Sequence, residues 1–146
     1  MKKTTIYRLA IAAVLLICIC IYYKPLSFSK LLTEDCTFTL SLSEHTVSYG
    51  KPESNTVDYN DITAEQKGAI LSLLEQYPYI RSPLTPFSDG NMSNIGPKLL
   101  TIYAAVDDSS YVKIVVTVSG QISINDKEYI MNNAEQFIEQ ITEIMK

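Results

Sequence analysis

The feature that most constrains this chain is the unbroken apolar run Leu9–Tyr23 (LAIAAVLLICICIYY), closed by Lys24 and Pro25. A helix that is apolar all round belongs in a protein core or in lipid, not on a wet surface. Lys2, Lys3 and Arg8 flank the run on one side, so the short N-terminus is expected in the cytoplasm and everything after the run outside. Leu9, Leu15 and Leu16 are expected among lipid tails. Tyr22 and Tyr23 suit the headgroup layer, where a ring with a polar tip is stable. The run is short against the roughly 17–25 residues of a spanning helix, and Ile6 and Tyr7 extend it if Arg8 snorkels. A retained single-pass anchor is the leading reading. A signal peptide cut after Ser29 is the alternative, with Ser27 and Ser29 as the small residues that such a cut requires. A lipid anchor fits worse, because Ile17 and Ile19 precede Cys18 and Cys20 where a small residue is wanted.

Charge divides at the same boundary. Four of the 12 basic residues lie at or before Lys24 and no acid precedes Glu34, which leaves 8 basic against 16 acidic side chains, a net of −8, from Pro25 onward. Phosphate binding needs a cationic surface, so a nucleic-acid role is excluded. Two of the three cysteines sit inside the apolar run, and Cys36 alone falls in the body, so no disulfide framework is available there.

The chain divides into a membrane anchor or signal segment (1–24), a polar linker (25–35) and one extracytoplasmic domain (36–146). Thr37–Leu42 alternates polar and apolar residues as a half-buried strand does. Thr46–Tyr49 is expected to pair back on it after a turn at Ser43–His45, and Gly50–Asn55 reads as a loop. Thr63-Ala64-Glu65-Gln66 fits a capping box, with Ile70, Leu73, Leu74 and Tyr77 following at helical spacing until Pro78 stops the helix. Segment 82–97 is the least regular, with three of the six prolines and two of the five glycines, and loops of that length are often functional. Its Asn91-Met92-Ser93 formally matches a glycosylation acceptor.

A β-meander is expected next. Leu100, Ile102, Ala104 and Val106 form one face of a strand, and Asp107–Ser110 makes a turn. Val112, Ile114, Val116 and Val118 line the next strand, Ser119-Gly120 is a two-residue turn, and Ile122 and Ile124 lead to a turn at Asn125-Asp126. Tyr129–Met131 is a short last strand. A final helix, with Asn132 or Asn133 as N-cap, carries Phe137, Ile138, Ile141, Ile144 and Met145 on one face. The fold class is α+β: an antiparallel meander packed against two amphipathic helices, after an N-terminal transmembrane or signal helix.

Chemistry-bearing patterns are sparse. Cys36 and His45 would make a hydrolase pair only if a hairpin brought them within hydrogen-bonding reach. Asp107, Asp108, Asp126 and Glu128 would bind calcium only as a gathered set, and no calcium-loop spacing is present. No phosphate loop, nucleophile elbow or zinc signature occurs in the body, so no enzyme, cofactor or metal is expected. Ten tyrosines are the compositional oddity. Tyr103, Tyr111 and Tyr129 fall in the meander and, with Pro86 and Phe87 of the 82–97 loop, are the candidate binding residues.

The hairpin built on Gly120, Ile122, Ile124, Asn125, Lys127 and Tyr129 before a last helix resembles small uncharacterised domains of Gram-positive secreted and membrane-anchored proteins. The resemblance implies a fold and a compartment and brings no functional residues. Together these readings give a non-enzymatic binding module tethered to the membrane, taking an envelope protein or peptide as partner. An envelope self-protection protein that intercepts a toxic peptide is the alternative.

Overall fold

A computed structural model describes residues 3–32, 35–48, 51–90, 92, 96–106 and 110–146. The N-terminal helix α1 (Lys3–Tyr22) is followed by a single 3-10 turn (Phe28–Lys30), then β1 (Thr37–Ser48) and β2 (Lys51–Tyr59). Helix α2 (Ala64–Gln76) precedes β3 (Tyr79–Arg81). Strands β4 (Lys98–Ala105), β5 (Tyr111–Thr117), β6 (Gln121–Ile124) and β7 (Lys127–Met131) and helix α3 (Ala134–Ile144) complete the chain. The fold is α+β, as expected: one sheet in the order β2-β1-β4-β5-β6-β7-β3, with all pairs antiparallel.

One face of the sheet carries Phe38, Leu40, Leu42, Leu100, Ile102, Ala104, Ile114, Val116, Ile122 and Ile124, all buried. Ile70, Leu73 and Leu74 of α2 and Phe137, Ile138 and Ile141 of α3 complete the core. Helix α2 starts as its sequence dictates: the Gln66 amide donates to Thr63 Oγ1 at 3.2 Å, and the Thr63 amide donates to Gln66 Oε1 at 3.0 Å. Helix α3 has Asn133 as N-cap, but in the left-handed region and with no side-chain cap bond, so packing rather than capping sustains it.

Four local expectations are corrected. Strand β1 does not turn at Ser43–His45; it runs on to Ser48, and 51–55, expected as a loop, is the first half of β2. The pairing Ser48↔Lys51 through Leu40↔Tyr59 makes one long hairpin. The β5–β6 connection holds Val118, Ser119 and Gly120 rather than two residues, and Gly120 takes a φ of 88°. A Cβ there would stand 2.7 Å from the Met131 carbonyl oxygen, so only glycine fits. Val106 lies past β4 and is exposed, not on the strand's buried face. Segment 25–35 is not a free polar linker: Leu26 pairs with Tyr79 through amides at 2.8 and 3.1 Å, and Phe28 and Leu32 are core residues.

Helix α1 stands apart from this core, with Ile6, Leu9, Leu15, Leu16 and the other large apolar side chains described on it exposed. Among the described residues, no helix is both long and apolar enough to cross a membrane. The apolar part of α1, Leu9–Tyr22, rises about 21 Å, short of the roughly 30 Å of hydrocarbon in a bilayer.

Candidate functional site

The residues singled out from the sequence separate into two surfaces and one structural contact. Tyr103 and Tyr111 lie on the sheet face opposite the helices. Tyr103 pairs with Lys113 and Tyr111 with Ala105, so the two tyrosines are diagonal neighbours, roughly 7–8 Å apart. They are 41% and 66% exposed. Thr39 sits directly across from Tyr103 on β1, and Lys113 is half-buried beside them. Towards β6 the same face closes over, with Val115, Thr117 and Ser123 buried. Elsewhere on this face β2 exposes Ser54, Thr56 and Asp58 and β7 exposes Ile130, so the tyrosines are its large exposed aromatic side chains among the described residues.

Tyr129 does not join it. Tyr129 pairs with Ile122, a core residue, and its ring meets that of Tyr79 edge-on at 5.1 Å. The Asn125-Asp126 turn has positive φ at both residues (45° and 62°), as a tight hairpin turn requires, and so fixes Ile124 opposite Lys127. Alternation from that point sends Tyr129 inward. Tyr79 packs in turn on Phe28, with ring centres 4.6 Å apart. Burial pushes the Tyr79 hydroxyl up from 10.0 to about 12; Tyr129 adds to the shift and Arg81 opposes it.

Pro86 and Phe87 form a second surface, on a turn that follows β3. Phe87 is 85% exposed and Leu84 59%. The turn is closely bonded. The Ser82 amide donates to Thr85 Oγ1 at 2.8 Å, and the Phe87 and Ser88 amides donate to the Leu84 carbonyl at 2.8 and 2.9 Å. Thr85 Oγ1 donates to the Glu128 carbonyl, and the Glu128 amide donates to Ser88 Oγ at 2.8 Å, which ties the turn to β7. The end of α1 is attached at the same place. Tyr22 Oη donates to the Ser82 carbonyl at 2.8 Å, and Arg81 Nη1 donates to the Tyr22 carbonyl at 3.2 Å, with its guanidinium over the Tyr22 ring.

Cys36 and His45 are not brought together. Cys36 is buried at the start of β1 and His45 is exposed near its far end, about 30 Å along one extended strand. The hairpin that was to join them turns beyond His45, so a thiol–imidazole pair cannot form. Asp107 and Asp108 lie outside the described residues, and no metal-holding group of acidic, histidine or cysteine side chains occurs among the described ones. Asn91 and Ser93 also lie outside them.

One feature was missed in the sequence. A groove of about 700 Å³ runs between α2 and the 28–32 segment, walled by Phe28, Leu32, Leu71 and Leu74, with Lys67 and Glu75 at its rim. Gly68 faces it, and a Cβ there would meet nothing within 4 Å. The available signal was a glycine inside a helix, where it costs about 0.5–1 kcal/mol relative to alanine. Comparison with protein families, with curated proteins and with solved structures found no match to this chain.

Proposed function

We propose that the chain is a non-enzymatic binding module held at the outer face of a membrane by α1, and that it takes a protein or peptide on the Tyr103–Tyr111 patch. The observation that carries the reading is the placement of two exposed tyrosines as diagonal neighbours on the outer face of the sheet. Tyrosine offers large area with a polar tip at small entropic cost, which suits contact surfaces. Anchoring is supported by the unburied apolar surface of α1, and the flanking Lys3 and Arg8 favour a cytoplasmic N-terminus. Retention of α1 is favoured over a cut after Ser29, since that cut would remove the buried Phe28 and the Leu26–Tyr79 pairing. The test is photocrosslinking in intact cells from positions 103 and 111, with position 54 on β2 as control. A reproducible partner captured at 103 and 111 and absent at 54 is expected. Identical products from all three positions would remove the proposal.

The groove beside α2 favours a second reading, in which the module intercepts a toxic peptide. Leu71 and the space over Gly68 leave room for an apolar side chain, with Ser29, Lys67, Ser72 and Glu75 around it for polar contact. Gly68→Leu is then expected to abolish protection against such a peptide and to leave crosslinking at 103 and 111 intact. Equal killing of cells with and without the gene, across a panel of peptides, counts against it.

A further inference from the structure

We infer that the Pro83–Phe87 turn is a second membrane contact, laying Leu84 and Phe87 into the same leaflet that receives the C-terminal end of α1. The inference rests on the membrane reading of α1 proposed above. Three observations lead to it.

The exposure of Leu84 and Phe87 is built in. A loose loop shows its apolar side chains by chance and part of the time. Here the Ser82, Leu84, Phe87 and Ser88 amides and the Thr85 and Ser88 hydroxyls are all engaged, so the turn presents Phe87 to solvent in one fixed arrangement. Burying a phenylalanine or leucine side chain stabilises by about 1.5–3 kcal/mol, and this turn forgoes that gain unless something apolar covers it.

The turn is also where α1 joins the body. Tyr22 is bonded to Ser82 and to Arg81, and four residues on Leu26 makes an isolated antiparallel bridge with Tyr79 at the outer edge of β3. No free linker separates the helix from the turn. If α1 enters a bilayer, with Tyr22 and Tyr23 at headgroup level, the residues bonded to Tyr22 are held within a few ångströms of that level. The occupant that continuity supplies is therefore lipid.

Finally, α1 leaves a deficit that a second contact relieves. Its apolar part rises about 21 Å against roughly 30 Å of hydrocarbon, and marginal anchors generally work in pairs. Leu84 and Phe87 stand at the end of the sheet nearest α1, beside the exposed polar turn Asn125-Asp126.

The sequence holds no tryptophan, which allows a direct test. Single-tryptophan variants F87W, L84W, L16W and S54W of the full chain are reconstituted into phosphatidylcholine vesicles. Quenching is compared for lipids brominated near the glycerol end and near the methyl end of the acyl chain. Expected is strong quenching of L16W, quenching of F87W and L84W mainly by the shallow bromines with a blue-shifted emission, and none of S54W. Interfacial side chains sit about 5–10 Å into the headgroup–acyl boundary, which is why shallow bromines should dominate. Quenched L16W with F87W and L84W as unquenched as S54W overturns the inference and leaves the anchor standing. No quenching of L16W overturns the anchor, and this inference with it. A blue shift of F87W that follows protein concentration and not bromine means that another copy covers the turn, which also overturns it.

Discussion

Helices α1 and α3 are both rich in isoleucine and leucine or phenylalanine, yet they end in opposite environments. Helix α3 gathers Phe137, Ile138 and Ile141 on one side and buries them against the sheet, while its glutamates face water. Helix α1 spreads Ile6, Leu9, Ile11, Val14, Leu15, Leu16, Ile17 and Ile19 around its whole circumference and buries none of them in the described structure. The difference lies in pattern rather than content. A one-sided stripe can be satisfied by one sheet, whereas an all-round apolar surface needs an all-round apolar medium. The body's stability should therefore depend on α3 and be indifferent to substitutions among the exposed apolar side chains of α1.

The comparison breaks most visibly at Phe137. Phe137→Ala should cost about 3–5 kcal/mol, and Leu16→Ala should leave the denaturant midpoint of the detergent-solubilised chain unchanged. A shift for Leu16→Ala approaching that for Phe137→Ala would mean that α1 packs on the body. Phe28→Ala sharpens the boundary between the two regions. Phe28 is 1% exposed and stacks on Tyr79, so a loss of roughly 3 kcal/mol is expected, although the residue lies only six positions past the end of α1. Loss of well under 1 kcal/mol would return 25–35 to the status of a linker.

A smaller effect is confined to alkaline pH. The hydroxyl of Tyr79 holds its proton to about pH 12 in the folded chain and to 10.0 when unfolded. An acid with a raised folded value leaves stability whole below the unfolded value, and the unfolded state gains as pH rises between the two. Between pH 10 and about 12 the chain should lose up to about 3 kcal/mol through this group, and Tyr79→Phe should flatten that part of the profile. Superimposable profiles for the two proteins would refute the assignment. The mildest change is Tyr22→Phe, which removes the hydroxyl bond to Ser82 and should cost about 0.5–1.5 kcal/mol. Its sharper readout is the depth of a tryptophan at position 87, which should become less uniform once that tie is cut.

The parts of the fold readable from sequence were those fixed by local chemistry. Thr63 and Gln66 sit in a reciprocal cap because their side chains are the right length to reach each other's backbone. The meander and the stripe on α3 follow from periodicity alone. Residues 51–55 were misread because lysine, proline, glutamate, serine and asparagine resemble a loop, yet an outer strand with water on one flank tolerates them. Tyr79–Arg81 is too short to show any period, and Leu26 finds a backbone partner and Phe28 a ring to pack on because β3 is there to receive them. The inward placement of Tyr129 was in principle legible. The two-residue turn and the apolar Ile122 and Ile124 fix its parity, which propensity-based reading of tyrosines ignores. Phe87 was legible as a candidate, but its fixed display depends on bonds to Glu128 in a distant strand.

The pairing of Leu26 with Tyr79 also sets a timetable. During synthesis, residues 22–28 emerge first among those of the body, but their partner strand β3 is itself held by β7, which emerges among the last. The edge of the sheet therefore cannot close as it appears; Phe28 gains α2 and Tyr79 midway through synthesis, and its segment joins the completed sheet only when β7 is available. Long-range closure of this kind slows folding and lengthens the exposure of apolar surface. A helix already lodged in a membrane would hold that waiting segment in place, turning the search for β3 into a local event beside a fixed point.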